Sequence, residues 1–141
     1  YAGSGSLFKV NDSAKTFDTW KSATGFDKNS TYSSSRPTSN VIFVKPNKYE
    51  AGRGNIVVYN WEKRSSVSVD LSSILKPGDR YKIVDAQNFF GAPVASGTYD
   101  GGSVSLPMNL TAVAPIYGEI KHFSNVHTPN EFNVFVVLPA N

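Results

Sequence analysis

The chain has 141 residues, of which 40% are hydrophobic and 18% charged, with 14 basic and 11 acidic side chains and a formal net charge of +3. This length and hydrophobic content suit one globular domain and exclude an intrinsically disordered chain. The chain contains no cysteine, which excludes a disulfide framework, a thiolate metal site and a cysteine nucleophile.

The basic residues are scattered rather than clustered, so no nucleic-acid footprint is indicated. No apolar run approaches the roughly 18 residues of a membrane span, so we also expect no membrane-spanning segment. The chain begins with Tyr1, without an initiator Met or a signal peptide. We therefore expect Tyr1 to be the processed end of a longer precursor.

A short strand and one helix are predicted first. Residues 6–10 favour a strand with Phe8 on one face. Phe17 and Trp20, three residues apart, lie on one face of a helix that ends at Gly25. Two polar side chains precede that helix as candidate N-caps, Asp12 and Ser13. We expect Phe17 and Trp20 to pack together, against the following domain or against the strand at Phe8.

After a Ser-rich connector, short strands follow one another. Residues 56–61 and 132–138 are apolar on both faces, which predicts strands inside a sheet. Residues 67–71 alternate apolar and polar side chains, which predicts a strand with one face in water. Pro77-Gly78 fits the centre of a type II turn, and Asp100-Gly101 predicts a hairpin. The predicted fold class is all-β: an antiparallel β-sandwich preceded by a short β-strand/helix segment.

Residues for catalysis are sparse. There is no serine-nucleophile elbow, zinc-protease helix or phosphate-binding glycine loop. His122 and His127 lie five residues apart, and we interpret them as loop histidines rather than metal ligands. Nothing in the sequence pairs the glutamates for acid–base work; they are Glu50, Glu62, Glu119 and Glu131. We therefore predict no enzymatic activity, no metal site and no cofactor, and leave open a calcium ion near Asp27.

Aromatic side chains are the remaining functional signal. Sugar rings stack on exposed Trp or Tyr faces, while amides and Arg bind their hydroxyl groups. Tyr49 and Arg53 share a loop, and Trp61 ends a predicted strand. We expect these three residues to converge at one end of the sandwich as a carbohydrate site, with the alternative that Trp61 covers the core. Further aromatic candidates are Phe89, Phe90 and Tyr99.

Several motifs occur together along the chain. The first are L-F-K-V at residues 7–10, F-x-x-W at 17–20 and T-G-F-D-x-N-S at 24–30. They resemble the C-terminal end of secreted bacterial right-handed parallel β-helix proteins. V-x-P-N-x-Y-E-x-G-R at 44–53 and I-x-x-Y-N-W at 56–61 resemble the β-sandwich that follows that end piece. V-x-V-D-L at 67–71 and G-D-x-Y at 78–81 also resemble sandwiches appended to glycoside hydrolases.

The resemblance implies a β-helix end piece over residues 1–33 and a C-terminal sandwich over residues 34–141. It implies a secreted or cell-surface, polysaccharide-associated protein whose catalysis, where present, belongs to the β-helix groove, so no catalytic residue carries over. We expect a non-catalytic accessory domain that contacts the preceding β-helix of its precursor and either binds glycans or simply caps that β-helix. The alternative is a structural subunit of an extracellular fibre or surface layer that assembles through an exposed β edge, with the N-terminal strand edge as the expected homo-oligomer contact.

Overall fold

The structure, a computed structural model, describes residues 7–118 and 125–140. The chain divides into two compact units, the first ending at Thr38 and the second beginning at Ser39. The first unit is a small hairpin and helix, and the second contains the larger sheets. Each unit has its own cluster of packed apolar side chains.

The first unit opens with a tight hairpin. β1 (Phe8–Val10) pairs antiparallel with β2 (Ser13–Lys15), and Val10 faces Ser13 across the turn. The two turn residues, Asn11 and Asp12, have φ of 48° and 60°, which matches a type I′ turn, the form that fits the twist of paired strands. The prediction that Asp12 or Ser13 caps the helix is therefore wrong, because both belong to the hairpin.

The helix α1 (Phe17–Thr24) is capped instead by Thr16, whose side-chain oxygen accepts a hydrogen bond from the Thr19 amide at 3.2 Å. Its predicted end is confirmed: Gly25 has φ of 71° and its amide donates to the Lys21 carbonyl at 2.8 Å.

The aromatic side chains of the first unit pack together, as the spacing of Phe17 and Trp20 predicts. The Phe8 ring centroid lies 5.0 Å from that of Phe17 and 5.6 Å from that of Trp20. Tyr32 closes the cluster, with its ring 5.3 Å from that of Phe8. A unit of fewer than 40 residues has little other apolar surface to bury, so this cluster is its core.

The second unit is an antiparallel β-sandwich-like fold, which confirms the predicted fold class. Its larger sheet has the order β3-β4-β9-β6-β7, and its smaller sheet pairs β5 with β8. The larger sheet consists of β3 (Val41–Pro46), β4 (Gly54–Tyr59), β9 (Phe132–Pro139), β6 (Arg80–Asp85) and β7 (Ala95–Thr98). The smaller sheet consists of β5 (Ser66–Val69) and β8 (Val104–Pro107).

The core lies between the two sheets. β4 contributes Ile56 and Val58, β9 contributes Phe135, and β5 and β8 contribute Val69 and Leu106, all at most 1% exposed. β4 and β9 lie inside the larger sheet, as their two-faced apolar patterns predict. Alternate residues on these strands point to the other side of that sheet, which we call its outer face.

Two turn predictions have different outcomes. The type II turn is confirmed, because Gly78 has φ of 98° and the Asp79 amide donates to the Lys76 carbonyl at 3.0 Å. The hairpin at Asp100-Gly101 is wrong. β7 pairs with β6 and β8 pairs with β5, so the chain passes from one sheet to the other at this turn. β7 and β8 each form their backbone hydrogen bonds with an earlier strand, and a local turn signal does not reveal such pairing.

A carboxylate directly after β5 links stability to pH. Asp70 accepts hydrogen bonds from the Ser72 amide at 2.8 Å and the Ser72 hydroxyl at 3.0 Å. These bonds, the amide first, hold the pKa of Asp70 below its usual value. The Tyr99 hydroxyl lies 3.4 Å from the same carboxylate, and burial, followed by the Asp70 charge, raises the pKa of Tyr99.

We expect the Asp70→Asn variant to lose part of the acid dependence of stability. A carboxyl group whose pKa is lower in the folded than in the unfolded state stabilises the fold above its unfolded pKa, and that stabilisation is lost as pH falls through the folded pKa. Urea unfolding of both proteins from about pH 6 to about pH 2 measures this effect. The wild type should be more stable at the upper end, and the difference should shrink on acidification. A difference that stays constant over this range would contradict the assignment.

Candidate functional site

Four aromatic side chains gather on the outer face of the larger sheet, and we call them the outer aromatic cluster: Phe43, Tyr59, Trp61 and Phe132. The Tyr59 ring is central. Its centroid lies 6.0 Å from that of Trp61, with the two rings nearly parallel at 18°, and 5.2 Å from that of Phe132. Phe43 approaches Tyr59 edge-on at 6.4 Å. Phe43 is 45% and Tyr59 37% exposed, so the cluster is open to solvent.

Strand register explains why residues far apart in sequence meet here. Tyr59 on β4 pairs with Phe132 on β9, and on its other side with Val41 on β3. Phe43 lies two residues further along β3 and is therefore a diagonal neighbour of Tyr59 on the same face. Trp61 follows Tyr59 by two residues.

A buried amide positions the Trp61 turn. Asn60 is fully buried, and its side-chain amide donates to the carbonyls of Arg64 at 2.7 Å and Asn130 at 2.8 Å. Its side-chain oxygen accepts from the Arg64 amide at 3.1 Å, and its own amide donates to the Glu131 carbonyl at 2.7 Å. These bonds tie the turn after β4 to the loop before β9. Sequence reasoning missed this role, since the partners of Asn60 across the fold are not visible in the chain.

Charged side chains stand on the same turn and loop. Lys63 pairs with Glu131 at 2.7 Å, and Arg64 pairs with Glu62. The Glu62 hydrogen bond raises the pKa of the Arg64 guanidinium, which keeps it cationic. The turn that carries Trp61 therefore presents both cations and carboxylates.

Tyr49 and Arg53 lie elsewhere. The loop of residues 47–53 joins β3 to β4 at the Gly54 end of β4, whereas Trp61 follows the opposite end at Tyr59. Five residue steps of about 3.3 Å place these ends roughly 17 Å apart. The predicted convergence of Tyr49, Arg53 and Trp61 is therefore wrong, because an entire strand of the sheet separates them.

The loop itself is well ordered by local bonds. The Asn47 side-chain oxygen accepts from the amides of Tyr49 at 2.8 Å and Glu50 at 3.0 Å. Arg53 pairs with Glu50 at 3.0 Å. Tyr49 is 89% exposed.

The further aromatic candidates differ in exposure. Phe90 is 93% exposed, and its ring meets that of Phe89 edge-on at 5.2 Å. Tyr99 is only 2% exposed and belongs to the core, so its candidacy as a sugar platform is wrong.

One of the two histidines forms a buried contact. His127 lies in the loop before β9, as predicted, and it is buried, with its Nε2 2.8 Å from the Asp85 carboxylate at the end of β6. Its Nδ1 lies 2.8 Å from the Thr128 carbonyl. Both ring nitrogens lie within hydrogen-bond distance of oxygen atoms, so the buried ring ties the loop before β9 to the end of β6. His122 and Glu119 lie outside the described residues.

Gln87 completes this network. It stands on a short 3-10 helix (Ala86–Asn88), and its side chain donates to the Thr128 hydroxyl at 2.6 Å and accepts from the Thr128 amide at 3.1 Å. The Asp85 carboxylate also accepts from the Gln87 amide at 3.1 Å. Since the side chains of both Asp85 and His127 are about 95% buried, the network joins two segments of the fold rather than facing a substrate.

No metal centre is found within residues 7–118 and 125–140, where no three His, Asp or Glu side chains are grouped to hold an ion. Near the suggested calcium position, the Ser30 hydroxyl donates a hydrogen bond to the Asp27 side chain at 2.9 Å. This bond stabilises a local turn. In the same part of the chain, no helix is long and apolar enough to cross a membrane.

The chain was compared with protein-family models, curated proteins and solved structures, and none of them matches it. A functional assignment therefore depends on the chemistry and placement of its own residues.

Proposed function

We propose that the second unit is a non-catalytic, carbohydrate-binding accessory domain of a secreted, surface or polysaccharide-associated protein. The observation that carries this proposal is the outer aromatic cluster. A soluble domain normally turns aromatic side chains inward, and an exposed group of them is typical of a recognition surface.

The chemistry of the cluster suits a sugar. Trp61 and Tyr59 offer nearly parallel rings for the apolar faces of pyranose units. Lys63, Arg64 and Asn130 lie on the adjoining turn and loop, and ammonium, guanidinium and amide groups are the usual partners of sugar hydroxyls. The pairing of these cations with Glu62 and Glu131 leaves donors and acceptors interspersed, as hydroxyl groups require.

The acidic residues support the non-catalytic part of the proposal. Glycoside hydrolysis requires two carboxyl groups facing each other across the substrate. Glu50 pairs with Arg53, Glu62 with Arg64 and Glu131 with Lys63. Each of these carboxylates therefore has a structural partner of its own.

The test uses Trp61 as its own reporter. The chain has two tryptophans, so a Trp20→Phe background leaves Trp61 as the sole indole while keeping an aromatic ring in the first unit. Titration with neutral and acidic oligosaccharides up to millimolar concentration should change its emission. In the same background Tyr59→Ala should weaken binding at least about tenfold, because it removes the central ring of the cluster.

Two matched controls separate the cluster from the Tyr49 loop. Tyr49→Ala and Arg53→Ala should leave the affinity unchanged, since that loop lies at the opposite end of β4. Binding that survives Tyr59→Ala but disappears in either loop variant would move the site to the loop. An absence of any response from the whole glycan panel would reject the carbohydrate proposal.

One observation favours the alternative of a structural subunit. The edge strand β3 carries the run Val41-Ile42-Phe43-Val44 without a charge, and uncharged sheet edges pair with other strands. Assemblies that continue to grow with concentration would support a fibre or surface-layer role. Assembly through the N-terminal strand stays a prediction; over the described residues, β1 pairs with β2.

A further inference from the structure

The two edges of the larger sheet differ in how they are protected. β7 is a four-residue edge of small side chains, Ala-Ser-Gly-Thr. β3 is six residues long and begins with four apolar residues, and its lysine and proline stand only at its C-terminal end. Natural proteins guard sheet edges with short strands, charges or prolines, so β7 is guarded and most of β3 is not.

Both faces of β3 are apolar at this edge. Ile42 and Val44 are partly buried against the core between the sheets. Val41 and Phe43 lie on the outer face and are 38% and 45% exposed. A partner strand on this edge would therefore need apolar residues on both of its faces.

We propose that β3 pairs antiparallel with β3 of a second copy of this chain, about a twofold axis through Phe43. In this register Phe43 faces its own counterpart, Ile42 faces Val44 of the second copy, and Val41 faces Lys45 of the second copy. Directly opposed residues in an antiparallel pair share a face, so the two inner faces and the two outer faces continue across the junction as one ten-stranded sheet.

The pattern of β3 itself argues for a second copy as the partner. A strand that is read in reverse about Phe43 keeps apolar residues opposite apolar ones on the inner face. No lysine is placed opposite another lysine, although each copy carries a formal charge of +3. Closure about a twofold axis uses the β3 edge of both copies, and over the described residues the larger sheet then has only its guarded β7 edges free. The product is a dimer that stops there.

A pair of six-residue strands buries less surface than a stable, permanent dimer requires. We therefore expect weak association, with sedimentation in sugar-free buffer showing a shift from monomer toward dimer between about 10 µM and about 1 mM. Phe43→Lys should weaken the dimer at least about tenfold, because it places two ammonium groups opposite each other at the axis. Tyr49→Lys is the matched control: it replaces an exposed aromatic residue with the same charge in the neighbouring loop and should leave association unchanged.

A second measurement tests the register without relying on that variant's folding. The chain has no cysteine, so Phe43→Cys introduces a single thiol, and directly opposed Cα atoms about 4.5–5.5 Å apart suit a disulfide. Phe43→Cys should form a covalent dimer under mild oxidation. Val41→Cys alone should not, whereas a mixture of Val41→Cys and Lys45→Cys chains should cross-link.

Three results would overturn the proposal. The first is a monomer throughout the concentration range. The second is a dimer that Phe43→Lys does not weaken and Phe43→Cys does not trap. The third is assembly that continues beyond the dimer. None of these results depends on glycan binding, so the carbohydrate proposal and this interface are tested separately, whereas assembly beyond the dimer would support the structural-subunit alternative.

Discussion

The Val58→Asp variant should not fold. Val58 lies on the inner face of β4, fully buried, between Ile42 on β3 and Asn133 on β9. An unpaired carboxylate in such a position costs several kcal/mol, which is a large part of the roughly 5–15 kcal/mol that stabilises a domain. Circular dichroism should show loss of the strand signal, and urea titration should show no cooperative transition.

The neighbouring residue supplies the control. Val57 precedes Val58 on the same strand but is half-buried on the outer face. Val57→Asp should therefore fold, with a loss of less than about 2 kcal/mol. Val136 on β9 also lies on the outer face, so Val136→Asp should resemble the control. From the two-faced apolar pattern of β9 alone, Val136 would be expected to be as buried as Val58. A Val58→Asp protein that unfolds cooperatively at nearly wild-type urea concentration would contradict the placement of β4.

The His127→Ala variant should lose about 3–5 kcal/mol of unfolding free energy, the usual effect of leaving a buried carboxylate without its hydrogen-bonding partner. Removal of the ring leaves the buried Asp85 carboxylate without its partner at 2.8 Å. It also detaches the loop before β9 from the end of β6. Chemical denaturation at neutral pH measures the loss.

A double-mutant cycle isolates the pair. The Asp85→Ala, His127→Ala double variant should lose less stability than the sum of the two single variants, because it removes the orphaned charge together with its partner. Val126→Ala, at an 83% exposed neighbouring position, should change the free energy of unfolding by less than about 0.5 kcal/mol. Additive losses, or a His127→Ala loss below about 1 kcal/mol, would mean that the pair does not hold the two segments together.

Local chemistry made part of this fold predictable. The two-faced apolar runs of β4 and β9 indicate burial on both faces, and the alternation in β5 indicates one solvent-exposed face. Neither inference depends on which strands pair with them. Gly25 and the Pro77-Gly78 turn are also local, because each depends on a backbone conformation that its own residues favour. These signals were enough to predict an all-β antiparallel fold.

Turn and cap signals failed where strand pairing involved the same residues. Asp100-Gly101 does form a turn, yet β7 and β8 enter different sheets, because each finds its hydrogen-bonding partner in an earlier strand. In the first unit, Asn11 and Asp12 form the turn of the β1-β2 hairpin, so Thr16 is the N-cap of α1 instead. In each case the local preference was real, but strand pairing decided its use.

The candidate site shows the same division. The sequence by itself indicated that Trp61 ends a buried strand and that aromatic side chains are the main functional signal. Only the tertiary structure brought Phe43 and Phe132 to Tyr59, separated Trp61 from Tyr49 by the length of β4, and joined His127 to Asp85 across 42 residues. The physical reason is that strand order and register arise from contacts between distant segments, whereas turns, caps and the alternation of a strand depend on neighbours along the chain.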